Sequence, residues 1–122
     1  MNLVCDAMKD IRTLCRLDEI DDGKGRGFNV EIDGIRRNIF VVRKGSAAYG
    51  YRNICPHAAR RIDWEPDEFT DPTGEYILCT NHDARFRIED GVCFAGPCRG
   101  QRLNPVSVRV DANGFVVLAS RR

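Results

Sequence analysis

Cys55-Pro56-His57 and, further along, Cys79-Thr80-Asn81-His82 decide how this chain of 122 residues is read. It holds only two histidines, and each follows a cysteine, His57 by two residues and His82 by three. Each pair is short enough for one loop to present a thiolate and an imidazole to a single metal centre. Two such loops offer two sulfur and two nitrogen donors, a set that suits zinc or an iron–sulfur cluster rather than magnesium or calcium. Cys55, His57, Cys79 and His82 are therefore the candidate ligands, and donor type alone leaves zinc and iron–sulfur both open.

The composition narrows the setting. The length fits one domain with one modest core. At 43% hydrophobic and 30% charged, the chain falls within the range of soluble globular proteins. Nineteen basic against eighteen acidic residues give a net charge of +1, and no basic run interleaves with aromatics, so nucleic acid is not an expected partner. The apolar runs are far too short for a membrane span. Asp6 and Asp10 interrupt the first residues, which argues against a secretory signal. The expected localisation is cytoplasmic. There thiols stay reduced, and such cysteine spacing is more often metal-binding than a disulfide scaffold.

Outward from the ligand pairs, the pattern is mostly of period two. Phe28, Val30 and Ile32 alternate with polar residues up to Asp33-Gly34, a hairpin turn signal. A return strand from about Ile35 to Arg43 contains Ile39-Phe40-Val41-Val42. Tyr49 to Ile54 leads into the first ligand loop. Twenty-one residues separate His57 from Cys79, and their acids and prolines spell an irregular loop anchored by Trp64 and Phe69. Glu75 to Cys79 reads as a short strand. Arg85 to Ile88 and Val92 to Phe94 flank Asp90-Gly91 as a second hairpin. Val106 to Val110 and Phe115 to Leu118 flank Asn113-Gly114 as a third. Leu3, Ala7, Ile11 and Leu14 would line one helix face, although Leu14 to Leu17 also suits the start of a first strand. The expected fold is all-β, a small antiparallel sandwich or barrel.

The motif pair resembles the Rieske [2Fe–2S] family, whose pattern is Cys-x-His followed by Cys-x2-His. Arg52 to His57 looks like that family's first ligand loop and Cys79 to Phe86 like its second. Gly96-Pro97-Cys98, followed by Leu103, looks like its proline loop. The likeness runs from about Cys15 to Leu118. It implies one domain over 1–122, with an arm at 1–13, base β-structure at 14–52 and 103–120, and a cluster-binding subdomain at 53–102. It also implies one [2Fe–2S] cluster per chain, one iron held by Cys55 and Cys79 and the other by His57 and His82.

Departures from the pattern sharpen the resemblance. Respiratory members of the family bridge their ligand loops by a disulfide, and the equivalent places here are Arg60 and Asn81. Those members also carry a serine and a tyrosine after the last histidine, whereas Ala84 and Phe86 stand here and donate nothing from their side chains. Fewer donors imply a potential toward the bottom of the family's roughly −150 to +300 mV range. Asp83 stands where glycine is common, and the long 58–78 connection alters the surface a partner meets.

The resemblance implies an electron carrier rather than an enzyme: a monomeric ferredoxin taking electrons from an NAD(P)H-dependent reductase and passing them to an oxygenase or other acceptor. It is not itself an oxygenase, because a mononuclear iron needs two further histidines and none remains. The alternatives are a zinc-stabilised binding module with the same four ligands, and a small Rieske subunit or redox sensor of a larger oxidoreductase. Cys93 and Cys98 read as reduced core residues, and Cys5 and Cys15 receive no role. Arg60, Arg61, Arg85, Arg99 and Arg102 cluster near the three loops, either as a collar that steers an acidic partner or as ordinary solvated surface.

Overall fold

The apolar run Ile39-Phe40-Val41-Val42 lies at the centre of the molecule, every one of its side chains buried. In this computed structural model, which describes residues 13–32, 34–56, 61–63, 65, 67–79 and 83–118, the run belongs to the longest strand. Successive side chains of a strand point to opposite faces. Phe40 and Val42 therefore enter one core cluster while Val41 enters a second on the other side. A continuous apolar run is what a strand buried on both faces requires.

Ten strands are present among the described residues: β1 (Thr13–Arg16), β2 (Gly25–Ile32), β3 (Ile35–Lys44), β4 (Ala47–Arg52), β5 (Ile77–Cys79), β6 (Ala84–Phe86), β7 (Cys93–Ala95), β8 (Pro105–Val106), β9 (Val108–Val110) and β10 (Phe115–Leu118). They form three antiparallel sheets, ordered β1-β10-β9, β2-β3-β4-β8 and β5-β6-β7. The chain is thus all-β, and no helix among the described residues is long and apolar enough to cross a membrane.

The first hairpin holds its expected register, with Ile32 opposite Ile35 and Phe28 opposite Ile39, and Gly34 at φ +81°. The helical alternative for residues 3–15 lies mostly outside the described residues. Where it overlaps them, strand wins, since Cys15 pairs with Val116 and both are buried in the second cluster.

The third hairpin departs from expectation in two ways. Its first strand is divided, Val106 pairing across to Gly50 of β4 while Val108 to Val110 pair with β10. A Cβ on Gly50 would lie 2.7 Å from the Val106 carbonyl, so this close crossing needs glycine. Its turn also differs, because only Gly114 has positive φ. The Asp111 carboxylate accepts from the amides of Asn113 and Phe115 at 2.9 Å each and closes the longer loop.

The long connection is irregular, as its composition implies, but it is tightly bonded. The Phe69 ring stacks on Phe40 at 4.4 Å and 7°. Trp64, the other expected anchor, lies outside the described residues. Asp67, at φ +66°, accepts the Gly27 amide at 2.8 Å and so occupies a donor on the β2 edge. Asp71 is buried and accepts from the amides of Thr73, Glu75 and Tyr76 and from the Thr73 hydroxyl. Burial alone would raise its pKa, but these donors outweigh burial and hold it below the usual carboxylate value.

A depressed folded pKa means that Asp71 stabilises the fold above its unfolded value of about 3.9, and that this contribution fades as pH falls through the folded value. Wild type is therefore expected to lose stability faster than Asp71→Asn on acidification below about pH 4, measured by urea midpoints across that range. Asp71→Ala, which removes the shared acceptor of these partly buried donors, is expected to cost about 1–3 kcal/mol at pH 7.

Candidate metal centre

Each candidate thiol comes from the end of a strand. β4 ends at Arg52, and Cys55 follows after a bend at Asn53, while Cys79 closes β5 opposite Ala84 of β6. Both side chains are wholly buried, and both lie in the core cluster that joins the central sheet to β5-β6-β7. His57 and His82, with Arg60 and Asn81, lie outside the described residues. Among the described residues no group of three or more histidine, cysteine, aspartate or glutamate side chains is disposed to hold a metal ion.

Asn53, which the sequence reading passed over, fixes the first loop. Its side-chain carbonyl accepts the Ile62 amide at 2.7 Å, and its NH2 donates to Asn38 at 2.6 Å and to Asp63 at 3.0 Å. One buried amide therefore binds both ends of the loop that carries Cys55 and ties them to β3. Asp63 is itself buried, which alone would raise its pKa. Donors from Arg61 at 3.0 and 3.1 Å and from Asn53 more than offset this and keep the carboxylate ionised. An asparagine two residues before a conspicuous cysteine motif was the signal available in the sequence, because an amide carried into a packed loop needs partners.

The second and third loops meet by close contact. Asp83 sits at φ +56°, a left-handed conformation that explains why glycine would also suit the position. Gly96 takes φ +101°, and a Cβ there would stand 2.8 Å from Ala84 Cα and 3.0 Å from the Asp83 carbonyl oxygen. Gly96-Pro97-Cys98 therefore packs directly against the second ligand loop. Gly96→Ala is expected to displace that loop and lower occupancy of the candidate metal centre several-fold relative to wild type, read as bound metal per chain, with a stability loss of about 1–3 kcal/mol.

Cys98 is buried, and its thiol donates to the Cys93 sulfur at 3.1 Å, while Cys93 donates to the Ala95 carbonyl at 3.1 Å. Burial foremost, then the bond to Cys93 and the charges of Cys93 and Cys55, push the Cys98 thiol up to about 12. Cys98 and Cys55 share one core cluster, which brings the third loop to the first ligand loop as well. Ala84 and Phe86 are wholly buried in the same cluster. The Tyr51 hydroxyl, buried in that cluster, donates to the Ile88 carbonyl at 2.5 Å.

The described arginines near the loops differ in their surroundings. Arg61 pairs with Asp63, and Arg85 pairs with Asp83 at 3.3 Å while lying over the Tyr76 ring at 5.3 Å. Arg99 and Arg102 are exposed, and Arg60 is outside the described residues. Part of the expected positive charge is thus matched locally by carboxylates.

Residues 11–117 match the Rieske [2Fe-2S] domain family. Among solved structures, the chain is similar to the ferredoxin of carbazole 1,9a-dioxygenase from Nocardioides aromaticivorans IC177. The two are 29% identical with a TM-score of 0.69, over 90% of this chain and 96% of that one. It shares its fold with a chain from a complex of reduced oxygenase and oxidized ferredoxin in carbazole 1,9a-dioxygenase, at 23% identity and TM-score 0.69, over 88% of this chain and 99% of that chain. It also shares its fold with a Sphingomonas yanoikuyae B1 ferredoxin, at 22% identity and TM-score 0.65, over 89% and 97%. No curated protein sequence matches the chain.

Proposed function

The chain belongs to the Rieske [2Fe–2S] domain family, whose members bind a two-iron cluster, and from that premise we propose that it is a one-electron carrier, a ferredoxin component of an oxygenase system. Cys55 and Cys79 would hold one iron and His57 and His82 the other. The observation that carries this reading is that Cys55, in the loop after β4, and Cys79, at the end of β5, are buried in one apolar cluster beside a loop that fits only without a Cβ at Gly96. Thiols in a dry, closely packed pocket are the donors that such a cluster takes.

The chemistry the bound group supplies is the uptake and release of a single electron. The protein residues set its terms. The apolar side chains around Cys55 and Cys79 exclude water, and Ala84 and Phe86 contribute no side-chain donor, which favours a low potential within the family. The imidazoles of His57 and His82 can give up a proton at alkaline pH, which would couple the potential to pH there. An NAD(P)H-dependent reductase as electron donor and a terminal oxygenase as acceptor are the partners this role requires. The similarity to the carbazole 1,9a-dioxygenase ferredoxin supports an oxygenase as acceptor.

The test is electron paramagnetic resonance of the dithionite-reduced protein together with iron, zinc and acid-labile sulfide analysis. The expected result is a coloured protein with iron and sulfide in equal amounts and the signal of mixed thiolate–imidazole ligation. A colourless protein with one zinc and no sulfide would refute the carrier and establish a zinc-stabilised module.

A further inference from the structure

The third loop holds two thiols that the metal centre does not use. Cys93 opens β7, and Cys98 lies five residues on in a loop whose neighbours Gly96, Pro97, Arg99 and Gly100 are all exposed. The backbone holds the two residues face to face. The Cys93 amide donates to Gln101 at 2.8 Å, Gly100 donates to the Cys93 carbonyl at 3.0 Å, and Gln101 donates to the Cys98 carbonyl at 2.9 Å. Within this frame the sulfurs stand 3.1 Å apart, about 1 Å more than a disulfide bond. A short approach of side chains already in contact would close it.

The geometry points to Cys93 and Cys98 as a redox-active dithiol, converted by a small-molecule disulfide into a disulfide that clasps the third loop against the second ligand loop. Both thiols are buried in the closed loop, so the reaction begins when the exposed segment around Cys98 opens locally and relieves that burial. Cys98 reacts first because Cys93 stays held in a sheet. Its sulfur attacks the oxidant R–S–S–R, whose S–S bond breaks. One RSH leaves with the Cys98 proton, and a mixed disulfide remains on Cys98. Cys93 then attacks that sulfur, the Cys93–Cys98 bond forms, and the second RSH leaves with the Cys93 proton. Two protein thiols are oxidised and one oxidant disulfide is reduced to two thiols.

The consequence is local. Gly96 lies between the two cysteines and presses on Ala84, so the new bond fixes the loop where it meets the second ligand loop. The inference does not depend on which metal the centre holds.

The sequence makes the test direct, since tryptic cleavage after Arg87 and Arg99 puts both thiols in peptide 88–99, apart from every other cysteine. The protein as isolated, with its metal, is incubated with oxidised glutathione, quenched with an alkylating agent and mapped by mass spectrometry. Peptide 88–99 is expected two hydrogens lighter and unalkylated, and dithiothreitol is expected to restore both alkylation sites. Recovery of the peptide with both thiols alkylated, or with glutathione lodged on Cys98 and no further reaction, would overturn the inference. In Cys93→Ala, glutathione is expected to persist on Cys98. An unmodified Cys98 in that variant would overturn the order of attack.

Discussion

Cys79→Ala is expected to abolish the cluster, leaving a chain with almost none of the wild-type iron and sulfide and no low-temperature resonance signal after reduction. Loss of a proposed thiolate ligand would leave one iron short of a sulfur donor, since Cys93 and Cys98 in the same core cluster are engaged with each other. Cys55→Ala is expected to do the same, since both thiols lie in one cluster of the core. The internal control is Cys15→Ala. That residue is also a buried cysteine, but it packs with Ile20, Val41 and Val116 on the far side of β3, so iron content should stay at the wild-type level. His82→Cys should retain a cluster with a lower potential, because a thiolate in place of a neutral imidazole makes the centre more negative and harder to reduce. A rise in potential would show that His82 is not a ligand. Full iron content in Cys79→Ala would remove that residue from the site.

Phe69→Ala is expected to be the most damaging substitution away from the ligands, at about 3–5 kcal/mol. The ring is fully buried, stacks on Phe40, and lies against Gly25 and Gly27 of β2, where a Cβ on either glycine would come within 3.1 and 3.4 Å of it. Those glycines leave the groove that the ring fills. Removing the ring leaves a cavity between the long connection and the central sheet that neither can close without disturbing the bonds of Asp67 to Gly27 and of Thr70 to Gly23. For a domain of this size the loss should lower the melting temperature by roughly 10 °C or more. Thermal unfolding followed by circular dichroism measures it, and a shift of only a degree or two would show that the connection is held by its polar bonds alone.

What the sequence made legible follows the range over which each feature is determined. The hairpins at Gly34 and Gly91 were readable because a turn is local chemistry, and the apolar run of β3 was readable because burial on both faces leaves a direct mark on composition. The division of the third hairpin was not readable. Val106 and Val108 look alike in sequence, and only the distant Gly50 decides that one of them joins a different sheet. The acids of the long connection were equally opaque. Asp63, Asp67 and Asp71 look like solvated charge in a list of residues, yet each accepts specific donors, and two of them are buried. Of the four candidate ligands, the spacing alone singled out all of them. The structure adds the common burial of Cys55 and Cys79, while His57 and His82 lie outside its described residues.

Asn53 carries a consequence for rate. A carrier exchanges electrons fastest when its surroundings rearrange least as the charge arrives, since every atom that must move adds to the activation barrier. One buried side-chain amide grips β3, Ile62 and Asp63 together and so ties down both flanks of the first ligand loop. The loop is preorganised before any electron is transferred. Stiffness set by a residue that is not itself a proposed ligand would help keep the reorganisation energy of such a carrier small.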